Sequence, residues 1–322
     1  MQDRDENHIE KQWQAACTER GDPDTDTNAA NFGVGERGDG DGDANEEGDI
    51  DQVGNLLERC DEVAGKVNGF LEEQFGEEEE VLKGVQQQTI IALGVIGECL
   101  ERYRQVFCEG ILRFLEEISF SYNGGKDCLV LLILLLTALS NHQSSSPSSS
   151  NPKPKPLPLA LPSVYILSPH PFPEVDTFVA SSSAHYHLQL SRYASPMKEA
   201  FTQYLHDYPV VKAILVGTRR TDPHGADLTH FDLTDGGWPR FMRVHPVIDW
   251  HYREIWGFIR HLNIPYCPLY DQGYTSLGGT TDTHPNPVLV AEDSKGEGEG
   301  EKKFRPAYEL VEDEEERLGR DY

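Results

Sequence analysis

Positive charge is scarce in this chain: 28 Lys and Arg stand against 55 Asp and Glu in 322 residues, a formal charge of −27. Phosphate backbones and anionic membrane surfaces select Lys and Arg, so neither nucleic acid nor a membrane is an expected partner. A cysteine framework is missing as well. Cys17, Cys60, Cys99, Cys108, Cys128 and Cys267 form no Cys-x-x-Cys pair and have no ordered His partners. That disfavours structural zinc and a disulfide scaffold, and points to reduced thiols in the cytoplasm. The opening Met1-Gln2-Asp3-Arg4-Asp5-Glu6 is polar and acidic, unlike a signal peptide. The longest apolar run, Leu129 to Leu139, is too short to cross a bilayer and reads as a buried helix.

The acidity is concentrated in the N-terminal third and in 291–316, which leaves room for a locally positive pocket elsewhere. Residues 1–50 carry almost no apolar periodicity and are expected to be disordered, with one domain over 51–322. A Ser/Pro tract over 140–162 reads as a low-complexity insertion, and 291–303 as an acidic linker. Helical stripes run through Leu56, Cys60, Val63, Val67 and Phe70, then through Ala92, Ile96, Cys99, Tyr103 and Phe107. Strands are expected at 118–120, 163–167 and 213–217. Helices are expected from Glu174, over Pro196–Tyr208, and over Trp250–Leu262 with Asp249 as cap. This alternation predicts an α/β fold, a mostly parallel Rossmann-like sheet with helices on both faces. Ligands of such sheets sit beyond the carboxyl ends of the strands, so the ends after Phe120, Ile166 and Val216 should converge on one pocket.

Between the first strand and the apolar helix lies Ser121-Tyr122-Asn123-Gly124-Gly125-Lys126-Asp127. Glycines let the backbone approach an anion, a helix N-terminus offers unpaired N–H groups, Lys126 adds a charge, and Asp127 can hold a divalent metal. The loop matches neither the Walker A spacing nor a dinucleotide fingerprint. A plain strand–helix turn, with an exposed Lys and a capping Asp, accounts for it equally well. A second polar cluster follows the third strand: Gly217-Thr218-Arg219-Arg220-Thr221-Asp222-Pro223, then Asp235-Gly236-Gly237-Trp238-Pro239-Arg240 and Arg243. An arginine pair can fork onto phosphate, and Trp238 offers a face for stacking on an aromatic ring system. Surface arginines and a Trp at a core edge are the ordinary alternatives.

Taken together, these segments resemble the eukaryotic FAD synthase (FMN adenylyltransferase) family, which is related to phosphoadenylyl-sulfate reductases and other pyrophosphatase-loop enzymes. The likeness covers roughly 118–320 and includes Tyr266-Cys267-Pro268-Leu269-Tyr270 and Gly273-Tyr274-Thr275-Ser276-Leu277-Gly278. It implies an adenine nucleotide α-hydrolase-like fold and a Mg²⁺-dependent transfer of AMP from ATP to FMN. It further implies that Asn123, Gly124, Gly125 and Lys126 cradle ATP phosphates, while Ser121, Ile166 and Gly217 line the adenine and ribose. Asp127 and Asp222 are the implied metal carboxylates. Asp235, Gly236, Gly237, Trp238 and Arg243 would meet the flavin. Arg317 and Arg320, in Glu316-Arg317-Leu318-Gly319-Arg320, would be phosphate ligands, completing a catalytic set with Asn123, Asp127 and Asp222. Cys128 stands where relatives often have Ser, and Ser181-Ser182-Ser183 has no assigned counterpart.

FMN's phosphate is already ionised at neutral pH, so such a reaction needs no strong base, in keeping with the lack of a His–Asp or Cys–His pairing. Positioning and charge neutralisation carry it. A phosphoadenylyl-sulfate reductase would need a Cys in the tail, whereas the last cysteine is Cys267. A non-catalytic flavin or nucleotide sensor is the other alternative. A monomer with small-molecule substrates is expected.

Overall fold

The structure, a computed structural model, describes residues 55–103, 105–106, 112–113, 115–144, 157–291 and 302–321. The expected disordered stretch 1–50 lies outside the described residues. Helix α1 (Leu56–Glu72) opens on a capping box: Asn55 and Glu58 each accept the other's backbone N–H through their side chains. Its stripe Leu56, Cys60, Val63, Val67 and Phe70 is buried as the spacing predicts. Helix α2 (Glu80–Arg102) buries Ala92, Ile96 and Cys99 but ends earlier than expected, with Tyr103 as its cap. Phe107 lies outside the described residues.

Six strands follow in one sheet: β1 (Ile118–Ser121), β2 (Leu161–Ile166), β3 (Leu188–Tyr193), β4 (Ala213–Leu215), β5 (Phe231–Leu233) and β6 (Met242–Val244). Their order is β3-β2-β1-β4-β6-β5, all parallel except β5, which runs antiparallel to β6. Strands β3, β5 and β6 were not anticipated. Helices α3 (Lys126–Ser144), α4 (Pro173–His185), α5 (Met197–Asp207) and α6 (Tyr252–His261) link or cover them.

Alternation along the strands sorts the core into two. Ile118, Phe120, Ala213 and Leu215 face a large cluster shared with α1, α2, α3 and α6. Val164 and Ile214 face a small cluster with Phe201, Tyr204 and Phe241 beside α5. Helix α3 carries an apolar face all round, and its side chains from Leu129 to Leu139 are buried inside the protein. At 19 residues it is longer than the apolar run suggested and is long and apolar enough to span a bilayer, yet its surroundings here are other helices and the sheet.

Two boundaries shift. Helix α3 holds 140–144 and β2 takes 161–162, so the expected insertion shrinks at both ends, and 145–156 lie outside the described residues. The acidic linker is bridged at its base by Val290 and Phe304 and by Ala291 N–H bonding the Lys303 carbonyl, with 292–301 outside the described residues. Asp249 does not cap α6. Asp313, from the C-terminal tail, accepts the Tyr252 N–H at 2.6 Å, while Asp249 pairs with Arg220.

Candidate active site

Strand order reverses beside β1: the chain runs from β1 through β2 to β3 on one side, then crosses back to β4 on the other side of β1. That switch point opens a crevice at the carboxyl ends of the strands. Ser121 ends β1, Ile166 ends β2, and Gly217 follows β4, so the three expected strand ends are neighbours. The turn after β1 is tight for identifiable reasons. Gly124 has φ +73°, and a Cβ there would lie 2.8 Å from a Val179 methyl of α4. Asn123 Oδ1 accepts the Gly125 N–H at 2.9 Å, and Tyr270 Oη accepts the Lys126 N–H at 2.8 Å. Gly217 lets β4 press on the first turn of α3: a Cβ would sit 2.8 Å from the Cys128 nitrogen. The serine tract is also structural. Ser182 is fully buried in α4 and its hydroxyl shares a 2.7 Å bond with Tyr122, propping the turn from below.

Lys126 does not stand exposed at the mouth of the turn. It is 2% exposed and sits in a charge network with Asp127 (3.0 Å) and Glu316, above the Tyr252 ring at 5.1 Å. Arg219 is wholly buried in the same network, on Asp127 Oδ1 at 2.8 Å, on Asp313 at 3.6 Å and on Glu316. Arg219 and Arg220 therefore form no phosphate fork, because Arg220 turns to Asp249 and the carbonyls of Ala226 and Leu228. Burial alone would raise the Asp127 pKa, but Arg219 and Lys126 outweigh it and hold the carboxyl below its ordinary 3.8. Burial would lower Lys126, and Asp127 with Glu316 reverse that. Asp222 behaves oppositely. Burial and the Asp127 charge push its pKa up, although one oxygen accepts the Arg219 N–H at 2.8 Å. Two neighbouring carboxyls shifted in opposite directions mark a site where charge has been arranged.

The C-terminal tail closes this crevice. Arg317 approaches Asp222 Oδ1 at 4.0 Å, and Arg320 approaches Asp282 at 3.4 Å. The Arg320 guanidinium lies on Gly278, where a Cβ would be 2.4 Å away. The sequence reading missed Glu316, Asp313 and Tyr270. A glutamate directly before an expected phosphate-binding arginine is out of place unless it serves another cation, and that was the available hint. Burial pushes the Cys128 thiol up to about 12, which keeps it in the protonated form at neutral pH.

The second predicted group sits apart from the turn. Asp235, Gly236, Gly237 and Trp238 lie on the β5–β6 connection, which enters β6 at the amino end of the parallel strands. Its tip folds along α5: the Trp238 and Phe201 rings are 6.4 Å apart, and Gly237 adjoins Lys198 in the first turn of α5. Trp238 is 37% exposed, and Gly236 and Gly237 take φ of +58° and +76°. Arg243 pairs in register with Ile214, so it shares the α5 face with Trp238, and its Nε is buried with no hydrogen-bond partner among the described residues. Helix α5 begins at the carboxyl side of the sheet. The tip thus lies on the α5 face of the sheet, the face opposite α3.

Residues 117–202 and 191–285 match the family model of the phosphoadenosine phosphosulfate reductase domain, which makes the chain an α/β protein of that class. It is 39% identical over 241 residues to a probable FAD synthase of Schizosaccharomyces pombe, across 75% of this chain and 82% of that protein. It is also similar to Candida glabrata FMN adenylyltransferase in complex with FAD and inorganic pyrophosphate, with TM-score 0.73 and 29% identity over 83% of this chain and 99% of that one. The same Candida glabrata protein in complex with FMN and the ATP analogue AMPCPP gives TM-score 0.70 and 28% identity, over 83% of this chain and 100% of that one. Within its class, the chain belongs to the FAD synthase (FMN adenylyltransferase) family.

Proposed function

We propose that this protein transfers AMP from ATP to the phosphate of FMN, releasing pyrophosphate and forming FAD. The observation that carries the reading is the meeting of the β1 turn, Asp222 and Arg317 in one crevice, with an aromatic tip on the opposite face. ATP phosphates lie against the turn at Asn123, Gly124 and Gly125, near the start of α3. Ser121, Ile166 and Gly217 line the adenosine. The flavin ring stacks on Trp238, with Asp235, Gly236, Gly237 and Arg243 around it. An oxygen of the FMN phosphate attacks the α-phosphorus in line. The bond between that phosphorus and the bridging oxygen breaks, and the electron pair leaves on pyrophosphate.

Lys126 and Arg219 are already balanced by Asp127 and Glu316. The positive charge facing pyrophosphate therefore comes mainly from Arg317 and Arg320. Both oxygens of Asp127 face cations, whereas Asp222 Oδ1 meets only the distant Arg317 guanidinium among the ion pairs described. A magnesium ion, which takes hard oxygen ligands and shares them with phosphates, fits Asp222 and not Asp127. Bound there, it would neutralise charge on the reacting phosphates. Asp127 acts on the site by fixing Arg219 and Lys126. The four described free cysteines suit a reducing cytoplasm, and the protein works as a monomer on small molecules.

The test is incubation with FMN, ATP and Mg²⁺, following FAD and pyrophosphate by chromatography. Equal amounts of both are expected. Binding of FMN and ATP without product would point to a sensor, and ATP binding without FMN binding would remove the flavin assignment of Trp238.

A further inference from the structure

Beneath the β1 turn, the charged ends of Lys126, Asp127, Arg219 and Glu316 form a buried group of two cations and two carboxylates. Three of the four come from the β1–α3 and β4 loops that frame the crevice. Glu316 alone comes from the tail, whose described part, 302–321, contains short 3-10 turns and two isolated bridges, Val290 with Phe304 and Thr283 with Arg320. Its carboxylate touches both Lys126 and Arg219. Its backbone is pinned from the other side: Thr275 Oγ1 donates to the Glu316 carbonyl at 2.6 Å, and Asn286 Nδ2 donates to the Glu315 carbonyl at 2.7 Å. The next residue in the chain is Arg317, facing Asp222.

We propose that Glu316 is a positioning residue for the transfer reaction: its carboxylate docks the tail onto the Lys126–Arg219 pair and thereby sets Arg317 over the reacting phosphates. The inference rests on the function proposed above. Removing the Glu316 carboxylate leaves two buried cations with Asp127 and, for Arg219, the more distant Asp313 at 3.6 Å, and an undercompensated buried charge is strongly unfavourable. The tail is anchored on both sides of this point, by Asp313 on the Tyr252 N–H and by Gly319 and Asp321 on His284 and Asp282, so the segment between those anchors yields and carries Arg317 away from Asp222. Glu316 touches no substrate and acts through its neighbour. A displacement of about 1 Å at a charge-stabilising group can cost roughly a hundredfold in rate.

The experiment uses the full-length protein and Glu316→Gln, which keeps the side-chain volume. Hydrogen exchange over 313–320 should become at least about tenfold faster, while the FMN dissociation constant stays at the wild-type value and kcat falls by about a hundredfold. In a cycle with Arg317→Ala, adding Glu316→Gln should cause little further loss, because both remove the same contribution. Glu316→Asp, which keeps the charge, should recover part of kcat. Unchanged tail exchange, an unchanged kcat, or losses that multiply in the double variant would each overturn the proposal. If Glu316→Gln does not fold, Thr275→Val loosens the same segment without unbalancing charge. Faster tail exchange with lowered kcat supports the link, and wild-type values for both overturn it. Tail exchange is read on the protein alone. A wild-type chain that makes no FAD therefore removes the functional reading, while exchange still upholds or overturns the docking.

Discussion

Replacing Gly124 with alanine should destabilise the protein far more than the same change at Gly125, although the two are adjacent in one turn. At Gly124 two costs add. The residue has φ +73°, and an L side chain in that region costs about 1–2 kcal/mol. Its new Cβ would lie 2.8 Å from Val179 Cγ2 and 3.4 Å from Phe178 Cδ1, on a helix already packed against the turn. Val has a stiff χ1, so the overlap is relieved only by shifting α4, at about 1–3 kcal/mol. The sum is roughly 2–5 kcal/mol, or a fall in Tm of about 5–20 °C for a domain of this size. A Cβ on Gly125 meets only the end of the Asn123 side chain, at 2.9 Å, and that can rotate away. Its stability should stay within about 1 kcal/mol of wild type, but the Asn123 bond to the Gly125 N–H is lost, and ATP affinity falls with it. Urea titration with comparable m-values measures both, and ATP binding separates them. A Gly124→Ala protein as stable as Gly125→Ala would refute the account of why the turn has this shape.

The raised pKa of Asp222 gives two further expectations. If the ionised carboxylate is the working form, kcat/KM falls as pH drops through a value above 3.8, and Asp222→Asn removes that limb along with most activity. Its folded pKa lies above the unfolded one, so the charge opposes folding at neutral pH. Asp222→Asn should then match or exceed wild-type stability there, with the advantage vanishing in acid; a variant markedly less stable at pH 7 reverses the sign of the argument. Trp238→Ala should weaken FMN binding by about 5- to 150-fold, from ~1–3 kcal/mol of stacking, with little change in Tm because the residue is 37% exposed. An unchanged FMN dissociation constant contradicts stacking. Cys128, pushed up to about 12 by burial, should resist alkylation at pH 8 until urea unfolds the chain; rapid labelling of the native protein would show the thiol is accessible.

Much of the fold could be read from local pattern. The stripe from Leu56 to Phe70 and the unbroken apolar run of α3 stand where periodicity puts them, and the strand ends at Ser121, Ile166 and Leu215 fall within one residue of the expected Phe120, Ile166 and Val216. Strands β3, β5 and β6 escaped notice because two are three residues long and β3 reads Leu-Gln-Leu-Ser-Arg-Tyr, half exposed at a sheet edge. The site was legible as a set of segments but not as a network. Nothing local says that Arg219 is buried or that Lys126 turns inward. Both follow from Glu316, 97 and 190 residues away in sequence, and such pairings are decided by tertiary charge balance. The same long reach explains the misplaced cap of α6: Asp249 was nearest in sequence, but Asp313 reaches the Tyr252 N–H in space.

The most direct test of the account follows ATP labelled on its α-phosphorus through a single turnover with FMN. The label should appear in FAD in an amount equal to the unlabelled pyrophosphate released, and Arg317→Ala should slow both by about a hundredfold without abolishing FMN binding. Label found in free AMP or retained in ATP, with FMN bound and unchanged, would contradict adenylyl transfer at this crevice.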